Sequence, residues 1–415
     1  MIVRYIVLIF FIFLTNLISV DFHDFDSYQH KITYESANKK ISQFLIKSKE
    51  VNIFYRLTPQ ALYIGDFNQQ QIDYVLYFKQ QVAETSTQRE EFITGGIDLS
   101  DNLQLLQKPI FFQLLQKDLQ NISIKKRLNG VKIAIDPGHF GGQLSELEER
   151  FVKIPAAQTN NNQAIYFSEG DLTYLTAVYL KTLLETEGAI VFISRPQIGK
   201  GALEEDFFQW QQKHRDFPTE NPSKIFRTHY NTEDLKKRAE NINQFRPDIT
   251  LIIHYNAHLN KSEKAEGLLL TQSNYNLAFI PGAFGPDELK KTEDRYEFLR
   301  LLLTDCIAES LELSQYITQE FVRHLGVPLI TSKDEASYIE NACLLQAPGV
   351  YCRNLALTRL IRSPLCYGET LVQNNQQEAY VLSENNPSAR TNRLQQVARA
   401  YFEGIKNYFS AHPLK

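Results

Sequence analysis

From Gly130 the chain alternates between two hydrophobic periods. "VKIAI" is a short unbroken apolar run closed by Asp-Pro-Gly, which predicts a buried strand. "DLTYLTAVYLKTLLETEG" then repeats apolar side chains at helical spacing (Leu172, Leu175, Val178, Tyr179, Leu183) and stops at Gly188. "AIVFISR" predicts a second strand, "NTEDLKKRAENINQF" a helix behind an Asn/Thr cap, and "DITLIIHYNAH" a third strand. This alternation predicts an α/β fold, a layered, mostly parallel or mixed central sheet flanked by helices. Further helices are expected in "DRYEFLRLLLTDCIAESLELSQYITQEFV" and in "TNRLQQVARAYFEGIKNYFSAH". The latter puts Leu394, Val397, Ala398, Tyr401, Ile405 and Tyr408 on one face, which should pack against the body. Two segments read as insertions after strand ends, where such folds build their sites: Phe140 to Phe167, and about Leu259 to Val327.

Upstream the pattern is mixed. "VNIFYRLTPQALYIGDF" and "IDYVLYFKQQ" read as short strands, and "NLQLLQKPIFFQLLQKDLQNI" as a helix broken at Pro109. Residues 21–129 are therefore expected to form a small α+β N-terminal module, without a catalytic pattern. The first 20 residues carry Arg4, an apolar run from Tyr5 to Leu14, and a polar close. That reads as a secretory signal peptide; the run is short for a membrane anchor, the alternative. No Cys follows the run, so a lipid anchor is not indicated. The expected division is 1–20 signal peptide, 21–129 N-terminal module and 130–411 catalytic domain.

Composition adds boundaries. The 415 residues are 43% hydrophobic, enough for one large domain or two ordinary ones. The net charge of −4 gives no basic excess of the kind that points to nucleic acid. Cys306, Cys343, Cys352 and Cys366 show no CxxC spacing, which speaks against a thiolate zinc site and leaves buried or paired structural cysteines.

The candidate chemistry starts at "KIAIDPGHFGG", where a strand runs into a histidine set among turn formers. His139 follows one predicted strand and His254 ends another. Parallel strands bring their C-terminal ends to one edge, so the two imidazoles could meet on one metal ion. A hydrolytic zinc site takes a third protein ligand and leaves a position for water. Glu169, at the head of a predicted helix, can reach that edge. Singly, each has a plainer explanation: a structural histidine, or a carboxylate at a helix N-terminus. "HFGG" has too few glycines for a phosphate loop, and no G-x-S-x-G elbow occurs. Trp210, within "DFFQWQQKHRDF", could stack on sugar rings, with subdomain packing the plainer alternative.

"KIAIDPGHFGG", "EGDLTYLTAVYLKTLLETEGAIVFISR", "LKKRAENINQFRPDITLIIHYNAH" and "SPLCYGETLVQNNQQEAYVL" occur in an order that resembles the catalytic domain of bacterial zinc-dependent N-acetylmuramoyl-L-alanine amidases. The likeness covers roughly residues 130 to 410. It implies a zinc-amidase-type fold, one zinc ion bound by His139, Glu169 and His254, and Glu369 as the catalytic base. It also implies hydrolysis of the bond between N-acetylmuramic acid and L-alanine, peptidoglycan as partner, room for a protein activator, and an exported protein of the periplasm or envelope with no stable membrane span when mature.

Three departures matter. The long gap before Glu169 lets Glu148 and Glu149 compete for the third ligand position, though the helix behind Glu169 favours Glu169. The usual Gly-Phe after the catalytic Glu reads Leu371-Val372, which puts the local backbone in question. The third motif carries Tyr255 and an extra His258, which could support a ligand or bind substrate, with a surface position the favoured reading. Each ligand imidazole needs an acceptor on its other nitrogen; Asp136 is close to His139 in sequence, with capping of the turn its plainer role. Arg195 and Arg238 match family positions, with structural ion pairs as their plainer role. Two rivals stay open: a zinc peptidase cutting within the stem peptide, and an inactive wall-binding scaffold.

Overall fold

The computed structural model describes residues 32–78, 128–159, 162–214, 221–258, 270–334 and 337–412. The expected signal peptide and the helix expected over residues 102–122 lie outside them. The described residues form two compact units, one of residues 32–38 and 52–78, the other of the remainder. In the smaller, β1 (Tyr55–Leu57), β2 (Ala61–Asp66) and β3 (Gln71–Tyr77) make an antiparallel sheet in chain order. The Asp66 side chain caps the turn into β3 by accepting the Asn68 and Gln69 N–H groups. Residues 39–51, read from sequence with the N-terminal module, run with the larger unit, where Ile46 bridges Phe284.

The larger unit is a layered α/β structure. Its strands are β4 (Lys132–Pro137), β7 (Ile190–Ile193), β8 (Ile249–Asn256), β9 (Leu277–Ile280), β10 (Cys343–Ala347), β11 (Val350–Arg353) and β12 (Leu365–Val372). They line up as β10-β11-β9-β12-β8-β4-β7. The half containing β12, β8, β4 and β7 is parallel; β9 is antiparallel to β12 but parallel to β11, and β10 returns antiparallel. β8 is buried at every residue, so it reads as an unbroken apolar run rather than an alternation. A separate hairpin, β5 (Phe151–Ile154) with β6 (Ile165–Ser168), fills part of the first expected insertion.

The second expected insertion is not one. It contributes β9 to the interior of the sheet and two of its helices. β9 is the four-residue run "LAFI" within that segment.

Helices cover both faces. α1 (Glu169–Thr186), α5 (Cys306–Leu325) and α7 (Pro387–Ala411) bury one face, meeting Ile133, Ile135, Leu251, Ile253 and Cys366. α3 (Asn231–Phe245) covers Ala134, Ile252 and Leu365 on the other. Between them in sequence lie the short α2 (Phe207–Lys213), α4 (Thr292–Leu303) and α6 (Ser337–Ala342). The six α7 positions expected on one face are all buried. All four cysteines are buried, and none is joined in a disulfide. Cys343 lies opposite Arg353 and Cys352 opposite Leu344, so the two thiols point to opposite faces and cannot join.

α5 and α7 meet at a glycine. A Cβ at Gly404 would lie 2.7 Å from the Ile317 Cα, closer than any real contact. Gly404→Ala should therefore force the helices apart and cost about 1–3 kcal/mol, read as a lower denaturant midpoint at unchanged slope. A midpoint equal to wild type would show that the helices can separate freely.

Candidate metal centre

Strand register assembles the site. Pro137 pairs with Ile253, and the Gly138 N–H donates to the Ile253 carbonyl at 2.9 Å, carrying β4 one step beyond its end. On the other side of β8, His254 pairs with Glu369 of β12. Paired residues on adjacent strands project to the same face about 5 Å apart, so His254 and Glu369 are neighbours by construction. Gly138 is a glycine for a steric reason: a Cβ there would lie 2.2 Å from the His254 Nε2.

The loop after β4 answers why a histidine sits among turn formers. His139 has φ of 56°, a left-handed conformation in which non-glycine residues are strained. Two buried arginines hold it. Arg195 donates Nε to the Pro137 carbonyl (2.9 Å) and an Nη to the Phe140 carbonyl (3.0 Å). Arg238 donates to the Pro137 carbonyl at 3.3 Å, pairs with Asp234 at 2.6 Å, and stacks on the Phe140 ring. Thr173 of α1 caps the Gly138 carbonyl at 2.5 Å. Asp136, expected to cap the turn, is instead buried beside Arg238 and takes a hydrogen bond from Ser194.

Three candidate ligands converge. His139, Glu169 and His254 each offer one donor atom, all within 4.8 Å of one another. Glu169 heads α1, so the positive end of the helix dipole favours its charge. Its Oε1 accepts from His254 Nδ1 (3.1 Å) and the Tyr255 N–H (3.2 Å). Its Oε2 accepts from Gln373 Nε2 at 2.9 Å and lies 3.4 Å from His139 Nε2. Gln373 also donates to the Tyr255 carbonyl at 2.8 Å, so its amide is fully committed.

Glu148 does not join the ligand atoms. It holds the far side of His139, accepting from Nδ1 and from the Phe140 N–H, each at 2.8 Å. That leaves Nε2 facing Glu169, the arrangement by which carboxylates orient metal-binding imidazoles. Glu149 is exposed and pairs with Arg227. Two imidazoles and a carboxylate suit zinc well.

Charge in the site follows from burial and proximity. Burial alone would lower the His139 pKa, but the Glu169 and Glu148 carboxylates overcome it and raise it to about 9. The same contact outweighs burial at Glu169 and Glu148 and keeps both carboxylates ionised. His254 is lowered, chiefly by burial. Glu369 is raised to about 8, first by burial and then by the Glu169 charge.

Leu371, where glycine is usual, keeps a left-handed turn with φ of 56° at a register shift in β12. Asn276 and Asn274 side chains accept the Leu371 and Val372 N–H groups at 3.1 and 3.0 Å and secure it. His258, expected at the surface, is half-buried, tied to Asn374 at 2.9 Å and to the Tyr275 hydroxyl at 3.2 Å. Trp210 is buried against Phe207, Phe226 and Tyr230 and donates to Glu233 at 2.9 Å, so its ring packs rather than faces a sugar. Gln373 was not read from sequence: it carries no spacing signal, because a strand far away in the chain delivers it.

The sequence matches the family described as N-acetylmuramoyl-L-alanine amidase over residues 133–407. No curated protein matches it. Similar solved structures include the CwlD amidase from Clostridioides difficile, in complex with the GerS lipoprotein, at 20% identity, covering 68% of this chain and 100% of that one with a TM-score of 0.39. The N-acetylmuramyl-L-alanine amidase Ami1 from Mycobacterium smegmatis follows at 14% identity, 68% and 99% coverage and a TM-score of 0.39. AmiC2 of Nostoc punctiforme, an N-acetylmuramoyl-L-alanine amidase, gives 14%, 68%, 99% and 0.35.

Glu148→Ala should leave two buried donors without an acceptor and destabilise the fold by about 1–3 kcal/mol. Removing one of two carboxylates should also pull the His139 pKa down from about 9, which histidine NMR titration of the metal-free protein would read. An unmoved His139 titration would show that Glu148 does not face that imidazole.

Proposed function

Because the chain belongs to the N-acetylmuramoyl-L-alanine amidase family, we propose that it cleaves the bond between the lactyl group of N-acetylmuramic acid and L-alanine with one zinc ion held by His139, Glu169 and His254. The observation that carries this is the convergence of those donors within 4.8 Å, beside a carboxylate on the next strand. A zinc ion there supplies Lewis acidity toward the scissile carbonyl and acidifies a bound water.

The remaining chemistry belongs to the chain. Glu148 and Glu169 fix the His139 ring, Glu169 orients His254, and Tyr367 stacks on the His254 ring at 4.5 Å between centroids. Glu369 takes a proton from the attacking water and passes it to the leaving amine. Its raised pKa suits the second half of that task. The setting proposed is an exported protein that remodels the wall or separates daughter cells, with residues 1–20 as its signal. Among the described residues no helix is long and apolar enough to cross a membrane.

Zinc content and muropeptide release, measured together on wild type and Glu369→Ala, test this reading. The wild type should hold about one zinc and free intact stem peptides; the variant should keep the metal and lose about 10²–10⁴-fold in rate. A wild type without zinc would sink the ligand set. Stem peptides cut internally would keep the metal centre and replace the substrate.

Zinc binding should also release protons. His139, with a pKa of about 9, is charged without metal near neutral pH and must be neutral as a ligand. Zinc titrations near pH 7 in buffers of different ionisation enthalpy should show release of at least about one proton, and affinity rising toward pH 9. A pH-independent affinity would contradict the ligand role of His139.

A further inference from the structure

Arg353, the last residue of β11, shares a sheet face with Glu369. Glu369 pairs with Leu277, Tyr367 with Phe279, and Phe279 with Tyr351. Side chains two apart on a strand share a face, so Arg353 joins the row that runs through Tyr351, Phe279, Tyr367 and Glu369. Its guanidinium carbon lies 4.8 Å from the Phe279 ring centre and 4.7 Å from that of Tyr338 on α6. Phe279 is 5.9 Å from Tyr367, which in turn stacks on His254. An aromatic floor thus leads from the candidate ligands to a fixed cation.

Among the described residues that cation has no acceptor. Among the described residues the Arg353 side chain makes neither a hydrogen bond nor an ion pair, and it is half-buried. The buried arginines Arg195, Arg238 and Arg300 differ in that each donates to protein oxygens. Arg353 is held by ring faces alone, which leaves its planar fork of donors available. Such a fork matches a carboxylate in bidentate geometry.

We propose that Arg353 anchors a free carboxylate of the leaving peptide, one residue beyond the alanine at the cleaved bond. This rests on the amidase reading. On the glycan side the lactyl carboxyl is consumed in the amide and offers no anion, so an anionic handle must belong to the peptide. The Phe279 and Tyr367 rings span the way from Arg353 to His254, and an extended peptide reaches about 3.5 Å per residue along it.

The test is direct binding to the full chain, with cleavage measured alongside. Calorimetry would compare a stem peptide beginning L-Ala-γ-D-Glu, whose α-carboxylate is free, with the same peptide amidated at that carboxyl. Wild type should bind the acid at least about tenfold tighter than the amide. Arg353→Gln should weaken the acid about 10- to 100-fold and leave the amide unchanged, and Arg353→Lys should recover part of the loss. Equal binding of acid and amide by wild type overturns the proposal without any variant. A loss by Arg353→Gln that is the same for both peptides also overturns it, leaving Arg353 as a clamp on α6. If the acid is preferred but muropeptides are not cut at the alanine bond, the anchor stands and the amidase reading falls. If muropeptides are cut there with no preference for the acid, the amidase reading stands and the anchor falls.

Discussion

Burying the Glu169 carboxylate would cost several kcal/mol if nothing answered its charge. Its two oxygens meet His139, His254, the Gln373 amide and the Tyr255 N–H, and the α1 N-terminus lies behind it. These partners come from β4, β8, the turn after β12 and a helix. One charge therefore couples four stretches of chain, and the positions of the candidate ligands follow from satisfying it. His139 receives a second carboxylate from the opposite side, Glu148, so a positive imidazole sits between two negative groups.

The loop that carries His139 is the least relaxed part of the site and the most heavily braced. A left-handed histidine persists only where its surroundings over-determine it. Arg195 and Arg238 supply that by binding the loop's carbonyl oxygens from the side away from the ligands. Their plainer role, as ion pairs, is half right: Arg238 does pair with Asp234, but both guanidiniums also hold the backbone that aims the imidazole.

The readable parts of this protein were those with local signals. Strands β4, β7 and β8 and helices α1, α3 and α7 each announce themselves by period and caps. Parallel strand ends then suggested that His139 and His254 could meet, and the structure brings them together with Glu169. What stayed hidden depends on contacts distant in sequence. Glu148 was weighed as a ligand because spacing alone cannot say whether a carboxylate faces a metal or the back of an imidazole. Gln373 had no signal at all. β9 lay within a presumed insertion, where no neighbouring helix pattern set it apart as a strand. Leu371 shows the converse: a glycine-like backbone survives without glycine because two asparagines hold the neighbouring N–H groups.

The order of the strands in the sheet differs from their order in the chain. β12 enters between β8 and β9, and it brings Glu369 and the turn bearing Gln373. The strand is then pinned from behind by α7, where the Tyr401 hydroxyl donates to the Gly368 carbonyl at 3.3 Å. The candidate base thus arrives after every candidate ligand has been synthesised, into a slot flanked by strands already made. The three parallel strands β4, β7 and β8 are all in the chain before the strand that carries the group proposed to move protons. On the proposed reading, the candidate base and the turn bearing Gln373 are therefore supplied together, by one strand inserted between two that precede it in the chain.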